Sequence, residues 1–105
     1  MPEMTFTVRW PDGRVENCYS PSLVVHDHLV TGGTYAVEDF LDRSLTALTT
    51  ASERVRAKFG FACTSAMATS HQLRASAAAY ASDQRVTVLA MHPPLPATPN
   101  PQEPR

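Results

Sequence analysis

The stretch MTFTVRWPDGRVENCYS, residues 4–20, decides the fold of this chain. Its first seven residues alternate apolar and polar side chains, which is the period-two pattern of a strand with one buried face. Pro11, Asp12 and Gly13 then supply a fixed φ, a short polar side chain and a residue that tolerates positive φ, which together favour a tight turn. The last six residues, VENCYS, are therefore predicted to return as the second strand of a hairpin.

Two registers of this hairpin are open. A type I turn with Gly13 as a bulge pairs Phe6 with Cys18, whereas a two-residue Asp-Gly turn pairs Phe6 with Tyr19. The second register matches apolar with apolar residues, but the Pro-Asp-Gly triplet favours the first. The choice decides which face of the sheet Cys18 occupies.

Two helices are predicted after the hairpin. In residues 37–59 apolar side chains recur at helical spacing, with acidic residues near the start and basic residues near the end. Gly60 is predicted to end this helix. A Thr-x-x-Gln capping box places the start of a second, alanine-rich helix near Ser70, with Thr64 or Ser65 as the alternative start.

The remaining segments are less regular. Residues 84–91, QRVTVLAM, predict a third strand in which Val86, Val88 and Ala90 share one face. Residues 23–35, LVVHDHLVTGGTY, are expected to form a brief extended segment that ends in a turn. Residues 92–105 hold six of the nine prolines of the chain and are predicted to be a disordered tail, although two overlapping PxxP triplets have the pattern that docks into aromatic grooves.

These elements predict a single α+β domain over residues 1–91. A chain of 105 residues with 43% hydrophobic content is long enough for one core. A small antiparallel sheet, made of the N-terminal hairpin and the C-terminal strand, is expected to pack one face against one long and one shorter helix. Because a small sheet leaves exposed edges and an open face, pairing into a homodimer is expected.

Composition and charge exclude several classes of protein. The net charge of −1 leaves no field that would hold nucleic acid or an anionic membrane. No apolar run approaches the roughly 20 residues that span a bilayer, and the first residues lack the apolar core of a signal peptide, so a cytoplasmic location is expected. The sequence carries no phosphate-binding loop or other cofactor motif, and no cofactor is expected.

Two histidines in the segment VVHDHL are weak candidates for a metal site. On a strand, His26 and His28 would point the same way, and Cys18, Cys63 or His71 would supply a third ligand. Solvated loop histidines are the commoner source of such a pair, so no metal is expected.

Both cysteines are weak candidates for a nucleophile, and both are expected to be reduced thiols. If the second helix starts at Thr64 or Ser65, its N-terminal amides would surround the sulfur of Cys63 and lower its pKa. A nucleophile also needs a base, so a histidine would have to lie within hydrogen-bond reach. A small buried thiol is the alternative, and it agrees with how often cysteine is buried.

Three stretches together resemble one protein family: MPEMTFTVRWPDG, CYSPSLVV and ASERVRAKFGFACTSA. They are similar to small bacterial nitrogen-starvation response proteins encoded in gene clusters with a nitrilase, a radical-SAM protein, an acetyltransferase and a flavin-dependent oxidoreductase. The resemblance covers residues 1 to about 81. It implies a cytoplasmic protein produced when nitrogen is scarce, in a pathway linked to nitrile or cyanide use, and it supplies no catalytic residues. The family pattern runs through six positions that are candidates for a binding motif: Cys18, Tyr19, Ser20, Pro21, Ser22 and Cys63.

Two function hypotheses follow. The first is a non-catalytic accessory or regulatory protein of the nitrogen-starvation response, which binds a protein partner or a small metabolite of nitrogen metabolism. The alternative is a small thiol- or metal-dependent enzyme that uses Cys63 or Cys18 with His26 and His28. The enzyme requires a cysteine and a histidine to meet in an accessible cleft, whereas the binding protein requires an exposed apolar patch or sheet edge.

Overall fold

A computed structural model of the chain describes residues 3–60 and 64–93. Along these residues the elements are β1 (Met4–Arg9), β2 (Val15–Ser20), a 3₁₀ helix (Leu23–Asp27), β3 (Thr34–Ala36), α1 (Val37–Phe59), α2 (Thr64–Ala77) and β4 (Arg85–His92). The described strands form an antiparallel sheet in the order β2-β1-β4-β3. The predicted α+β fold, with one long and one shorter helix, is confirmed, and the sheet contains one strand more than the sequence predicted.

The hairpin of β1 and β2 adopts the first of the two predicted registers. The amide of Gly13 donates to the Trp10 carbonyl at 2.9 Å, and the amide of Trp10 donates to the Arg14 carbonyl at 2.8 Å. Gly13 has φ +92°, a conformation that favours glycine. Phe6 therefore pairs with Cys18, and the alternative pairing of Phe6 with Tyr19 is wrong. This register places Cys18 on the buried face of the sheet.

Strand β4 contains a bulge. Two consecutive residues of β1 pair with Val88 and Ala90, so Leu89 between them has no partner on β1. An extra residue shifts the alternation of side chains along a strand. Met91, rather than Ala90, therefore follows Val88 on the buried face. The prediction that Ala90 shares the face of Val86 is wrong for this reason.

The segment at residues 23–35 is more regular than expected, because it contains the 3₁₀ helix and the edge strand β3. Ser22 caps the 3₁₀ helix, since its Oγ accepts a hydrogen bond from the Val24 amide at 3.3 Å. Gly32 donates to the Val88 carbonyl at 2.7 Å, and the Val88 amide donates to the Gly33 carbonyl at 2.9 Å. These two bonds lead directly into the pairing of β3 with β4.

Helix α1 matches its predicted bounds, and Gly60 at φ +81° ends it, with its amide donating to the Arg56 carbonyl at 2.7 Å. Helix α2 begins at Thr64, so the earlier alternative is confirmed and the start near Ser70 is wrong. The predicted capping residue, Thr69, lies inside the helix, where its hydroxyl donates to the Ser65 carbonyl at 3.2 Å. A hydroxyl that bonds one turn back within a helix explains why the capping pattern misleads here.

The core lies between the two helices and one face of the sheet. Trp10 contacts Phe40 of α1 edge-to-face, with ring centroids 5.6 Å apart, and stacks almost parallel on Tyr80, with centroids 5.4 Å apart. The largest other buried side chains are Phe6, Met4, Leu29, Leu48 and Leu73. The predicted disordered tail lies outside the described residues from residue 94 onward, and its first residue, His92, belongs to β4.

Candidate functional site

A cleft of about 440 Å³ lies beside β4, at the edge that faces β3. One wall consists of residues 89–92 of β4, and the other consists of residues 29–31 with His26. Among the described strands, β3 pairs with residues 85–87 of β4 and reaches no further along it. The cleft therefore begins where the pairing of β3 and β4 ends.

The cleft is mainly apolar and is open to solvent. Val30 is 65% exposed and Leu89 is 37% exposed, although both are large apolar residues. Leu29 and Met91, which also line the cleft, are buried. Exposed apolar side chains around a concave surface are typical of a binding site.

Hydrogen bonds fix the position of both walls. The amide of Val30 donates to the hydroxyl of Tyr35 at 3.0 Å. From the same wall, Nε2 of His26 lies 3.0 Å from the carbonyl oxygen of Pro93, which follows β4. Because a carbonyl oxygen only accepts, Nε2 carries the proton and donates. The end of β4 is thus tied to the 3₁₀ helix.

Arg43 of α1 holds the loop that carries Val30. Its Nε donates to Asp39 at 2.9 Å, its Nη1 donates to the His28 carbonyl at 3.2 Å, and its guanidinium lies over the Tyr35 ring, 5.1 Å from the centroid. The hydrogen bond to Asp39 and its charge raise the pKa of Arg43, so this cation persists at any physiological pH. Arg43 therefore holds the backbone of the loop in place, and Val30 lies on this loop.

Away from the cleft, a cluster of polar side chains around Glu16 joins the hairpin to α2. Its carboxylate accepts hydrogen bonds from Trp10 Nε1 at 2.8 Å, from Ser76 Oγ at 2.7 Å and from Gln72 Nε2. Arg14 Nη2 lies 3.4 Å away. Burial raises the pKa of Glu16, but the hydrogen bonds from Ser76, Gln72 and Trp10 and the Arg14 charge outweigh it and leave this pKa below its ordinary value. The carboxylate is therefore ionised, and it is bound by donors of the hairpin and of α2.

Cys18 is a buried thiol with 2% of its surface exposed. Burial, followed by the negative charge of Glu16, raises the pKa of Cys18 to about 12. At neutral pH the sulfur is protonated, and a protonated thiol is a weak nucleophile and a poor metal ligand. Cys63 lies outside the described residues, and its role as a candidate nucleophile stays a prediction.

The Ser-Pro-Ser corner is held by bonds within the chain. Ser20 Oγ donates to the Ser22 carbonyl at 2.8 Å and accepts from the Ser22 amide at 3.3 Å, around a buried Pro21. Arg54 Nη1 donates to Ser22 Oγ at 3.4 Å. Tyr19 donates its hydroxyl to Glu3 at 3.2 Å. The corner thus starts the 3₁₀ helix, and a binding role for its residues stays a prediction.

The two candidate histidines do not share one face of a strand, so the premise of the proposed ligand pair is wrong. His26 belongs to the 3₁₀ helix and His28 is its C-cap. At about three residues per turn, side chains two positions apart diverge by about 120° around the helix axis. Within residues 3–60 and 64–93, no three His, Cys, Asp or Glu side chains are grouped closely enough to hold a metal ion.

Sequence reasoning missed the cleft because its walls come from distant segments. Val30 lies beside the Gly32-Gly33 turn, and Leu89 lies inside a strand whose alternation looked regular. The available signal was a large apolar residue placed on the polar side of that alternation, at Leu89. A bulge at this position turns such a residue toward the sheet edge.

A family model described as nitrogen starvation-induced protein NitG matches residues 5–91. The match covers the described elements apart from the first residue of β1 and the last residue of β4. No curated protein and no solved structure matches the chain. None of the helices in the described part of the chain combines the length and apolar character that a membrane crossing requires.

Proposed function

This chain belongs to the NitG family of nitrogen starvation-induced proteins, and on that premise we propose that it is a non-catalytic accessory protein that binds a partner enzyme. The partner is an enzyme encoded with it in a nitrilase-type gene cluster, and the two meet in the cytoplasm when nitrogen is scarce. The observation that carries this proposal is the apolar cleft beside β4, with Val30 and Leu89 exposed at its walls.

The cleft favours a protein segment over a small metabolite of nitrogen metabolism. Such metabolites are mainly polar, whereas the exposed large side chains at the cleft walls, Val30 and Leu89, are apolar. Burying a fully exposed valine or leucine side chain is worth about 1.5–3 kcal/mol, and covering Val30 at 65% and Leu89 at 37% exposure gains a part of that each. An extended segment of a partner can also run along the part of β4 that β3 leaves uncovered, in the manner of strand addition.

The thiol-dependent alternative receives no support from Cys18, which is buried and protonated at neutral pH. The groups that are best placed to attract a charged ligand, such as Glu16, are already engaged within the fold. Binding through an apolar surface therefore accounts for more of the described geometry than catalysis does.

The test measures binding of the purified full chain to each purified enzyme of the nitrilase-type cluster by biolayer interferometry. One enzyme is expected to bind, and Val30→Asp or Leu89→Asp is expected to weaken that binding about tenfold or more, because a charge would be desolvated in the cleft. Met67→Asp is the matched control, since Met67 is 52% exposed on α2, away from the cleft residues.

Two results would contradict the proposal: no cluster enzyme binds the chain, or the Val30→Asp variant binds as tightly as the unchanged protein. Sedimentation of the chain alone tests the expected homodimer separately. If two copies pair through the same cleft, the Val30→Asp variant sediments as a monomer and the Met67→Asp variant does not.

A further inference from the structure

We propose that a patch on the open face of the sheet, made of Arg9, Arg85, Thr87, Thr34 and Val15, binds an acidic segment of another protein. These five residues are called the arginine patch below. None of them lines the cleft beside β4. The patch is therefore a second surface, and it does not depend on the proposed function.

Strand pairing places the residues of the patch side by side. Thr87 of β4 pairs with Arg9 on one side and with Thr34 on the other, and Arg9 also pairs with Val15 of β2. The hydroxyls of Thr34 and Thr87 lie 3.2 Å apart, so both side chains are on one face. The next residue of β4, Val88, is buried in the core. Because side chains alternate along a strand, the patch lies on the face opposite the helices.

The two arginines of the patch are close together and lack a counter-charge. Arg85 precedes Thr87 by two residues, so it is the diagonal neighbour of Arg9 on the same face. Such neighbours have Cα atoms about 7–8 Å apart, within reach of long side chains. Both arginines are exposed. Within residues 3–60 and 64–93, neither guanidinium forms an ion pair or a side-chain hydrogen bond. A carboxylate bound between them would relieve their mutual repulsion.

The chemistry of the patch fits a segment of protein chain with several carboxylates. A guanidinium binds a carboxylate through two parallel N–H···O bonds. A single exposed ion pair contributes little to binding, so a stable complex needs further contacts. Val15, which pairs with Arg9, is 55% exposed and offers an apolar contact. The hydroxyls of Thr87 and Thr34 offer hydrogen bonds to the backbone of the segment.

Two other occupants fit the patch less well. A second copy that docked patch against patch would bring like charges together. Glu3 extends β1 on this face, but it lies six residues from Arg9 and accepts a hydrogen bond from the Tyr19 hydroxyl at 3.2 Å. A nucleic acid strand would find no aromatic side chain in the patch on which to stack a base. The net charge of −1 also gives the chain no long-range attraction for a polyanion.

The test is NMR titration of the labelled full chain at low salt with a blocked hexaglutamate peptide. We expect the amides of Arg9, Arg85 and Thr87 to shift, and a blocked hexaglutamine peptide to leave them unchanged. The double variant Arg9→Gln/Arg85→Gln should bind hexaglutamate about fivefold more weakly or worse. The matched control, Arg56→Gln/Lys58→Gln, removes the same charge from exposed positions near the end of α1 and should bind as the unchanged chain does.

Four outcomes would overturn the inference. The first is the absence of shifts in the patch, and the second is an equal loss of binding in the two double variants. The third is tighter binding of a twelve-residue oligothymidylate than of hexaglutamate, which would assign the patch to nucleic acid. The fourth is a shift of the patch amides when the chain alone is concentrated, which would assign the patch to a second copy. No partner enzyme is present in this titration, so its failure leaves the binding test of the cleft unaffected.

Discussion

Ser76 of α2 donates a 2.7 Å hydrogen bond to the carboxylate of Glu16 in β2, a residue 60 positions earlier in the chain. Gln72, one helical turn before Ser76, donates to the same carboxylate and also to the Asn17 carbonyl at 3.0 Å. The Glu16 carboxylate and the Asn17 carbonyl thus both attach α2 to the hairpin, and the Gln72 side chain occupies a backbone acceptor of the edge strand.

Replacing Glu16 tests this attachment through its pH dependence. Its folded-state pKa lies below the ordinary value of 4.5, so the stabilisation is fully present above about pH 4.5 and is lost as the pH falls through the folded-state pKa. We expect Glu16→Gln to lower the free energy of unfolding by about 1–2 kcal/mol at pH 7. The difference in the free energy of unfolding between Glu16→Gln and the unchanged protein should become smaller on acidification, as measured by urea unfolding at several pH values.

The control for this series is Glu53→Gln, because Glu53 is an exposed carboxylate on α1. It should change stability by no more than about 0.5 kcal/mol. A gap between Glu16→Gln and the unchanged protein that stays constant from neutral to acidic pH would contradict the assigned role of the Glu16 charge.

The stack of Tyr80 on Trp10 is accessible to fluorescence, because Trp10 is the single tryptophan of the chain. Tyr80→Ala should expose the Trp10 ring, shift its emission to longer wavelength and destabilise the protein by about 1–2 kcal/mol. Tyr80→Phe retains the stacked ring and should retain the emission of the unchanged protein. Identical emission spectra of the two variants would argue against the stack.

The protonated state of Cys18 predicts slow alkylation. In a Cys63→Ser chain at pH 8, a thiol with a pKa of about 12 is ionised in about one molecule in 10,000, against about one in ten at the ordinary value of 9.0. Iodoacetamide should therefore react about 1,000-fold more slowly with the folded chain than with the chain in urea. Folded and unfolded rates within about tenfold of each other would contradict the burial of Cys18.

The hydroxyl of Tyr35 positions the wall of the cleft that carries Val30. Tyr35→Phe removes the acceptor of the Val30 amide and should cost about 0.5–1.5 kcal/mol. Hydrogen exchange of the Val30 amide should accelerate, whereas exchange of the Val88 amide, which is bonded to Gly33, should change less. Equal acceleration at both amides would indicate general loosening of the sheet and would not support a local role for Tyr35.

Local features explain why the hairpin and α1 were predictable. The alternation in β1, the turn at Gly13 and the stop at Gly60 each depend on a few neighbouring residues, and the structure preserves all three. The resemblance to a nitrogen-starvation family was also available from short local strings, and the family match over residues 5–91 confirms it.

Contacts between distant segments explain what was missed. Strand β3 has three residues and is defined by its pairing with β4, about 50 positions later, so it has little pattern of its own. The start of α2 was missed for a local reason instead, since the helix begins at Thr64 and Thr69 of the apparent capping box lies inside it, bonded one turn back. The cleft depends on both Val30 and Leu89, and no local window contains both.

Because Leu89 is the extra residue of the bulge, the cleft can change in evolution while the buried side chains of the core stay the same. If Leu89 were deleted, regular alternation would keep Val88 and Met91 on the buried face and leave Ala90 on the open face, as they are now. A loss of three nucleotides would therefore remove one wall residue of the cleft without exchanging any side chain of the interior. Homologues that keep or lack this residue would differ in what they recognise while folding alike.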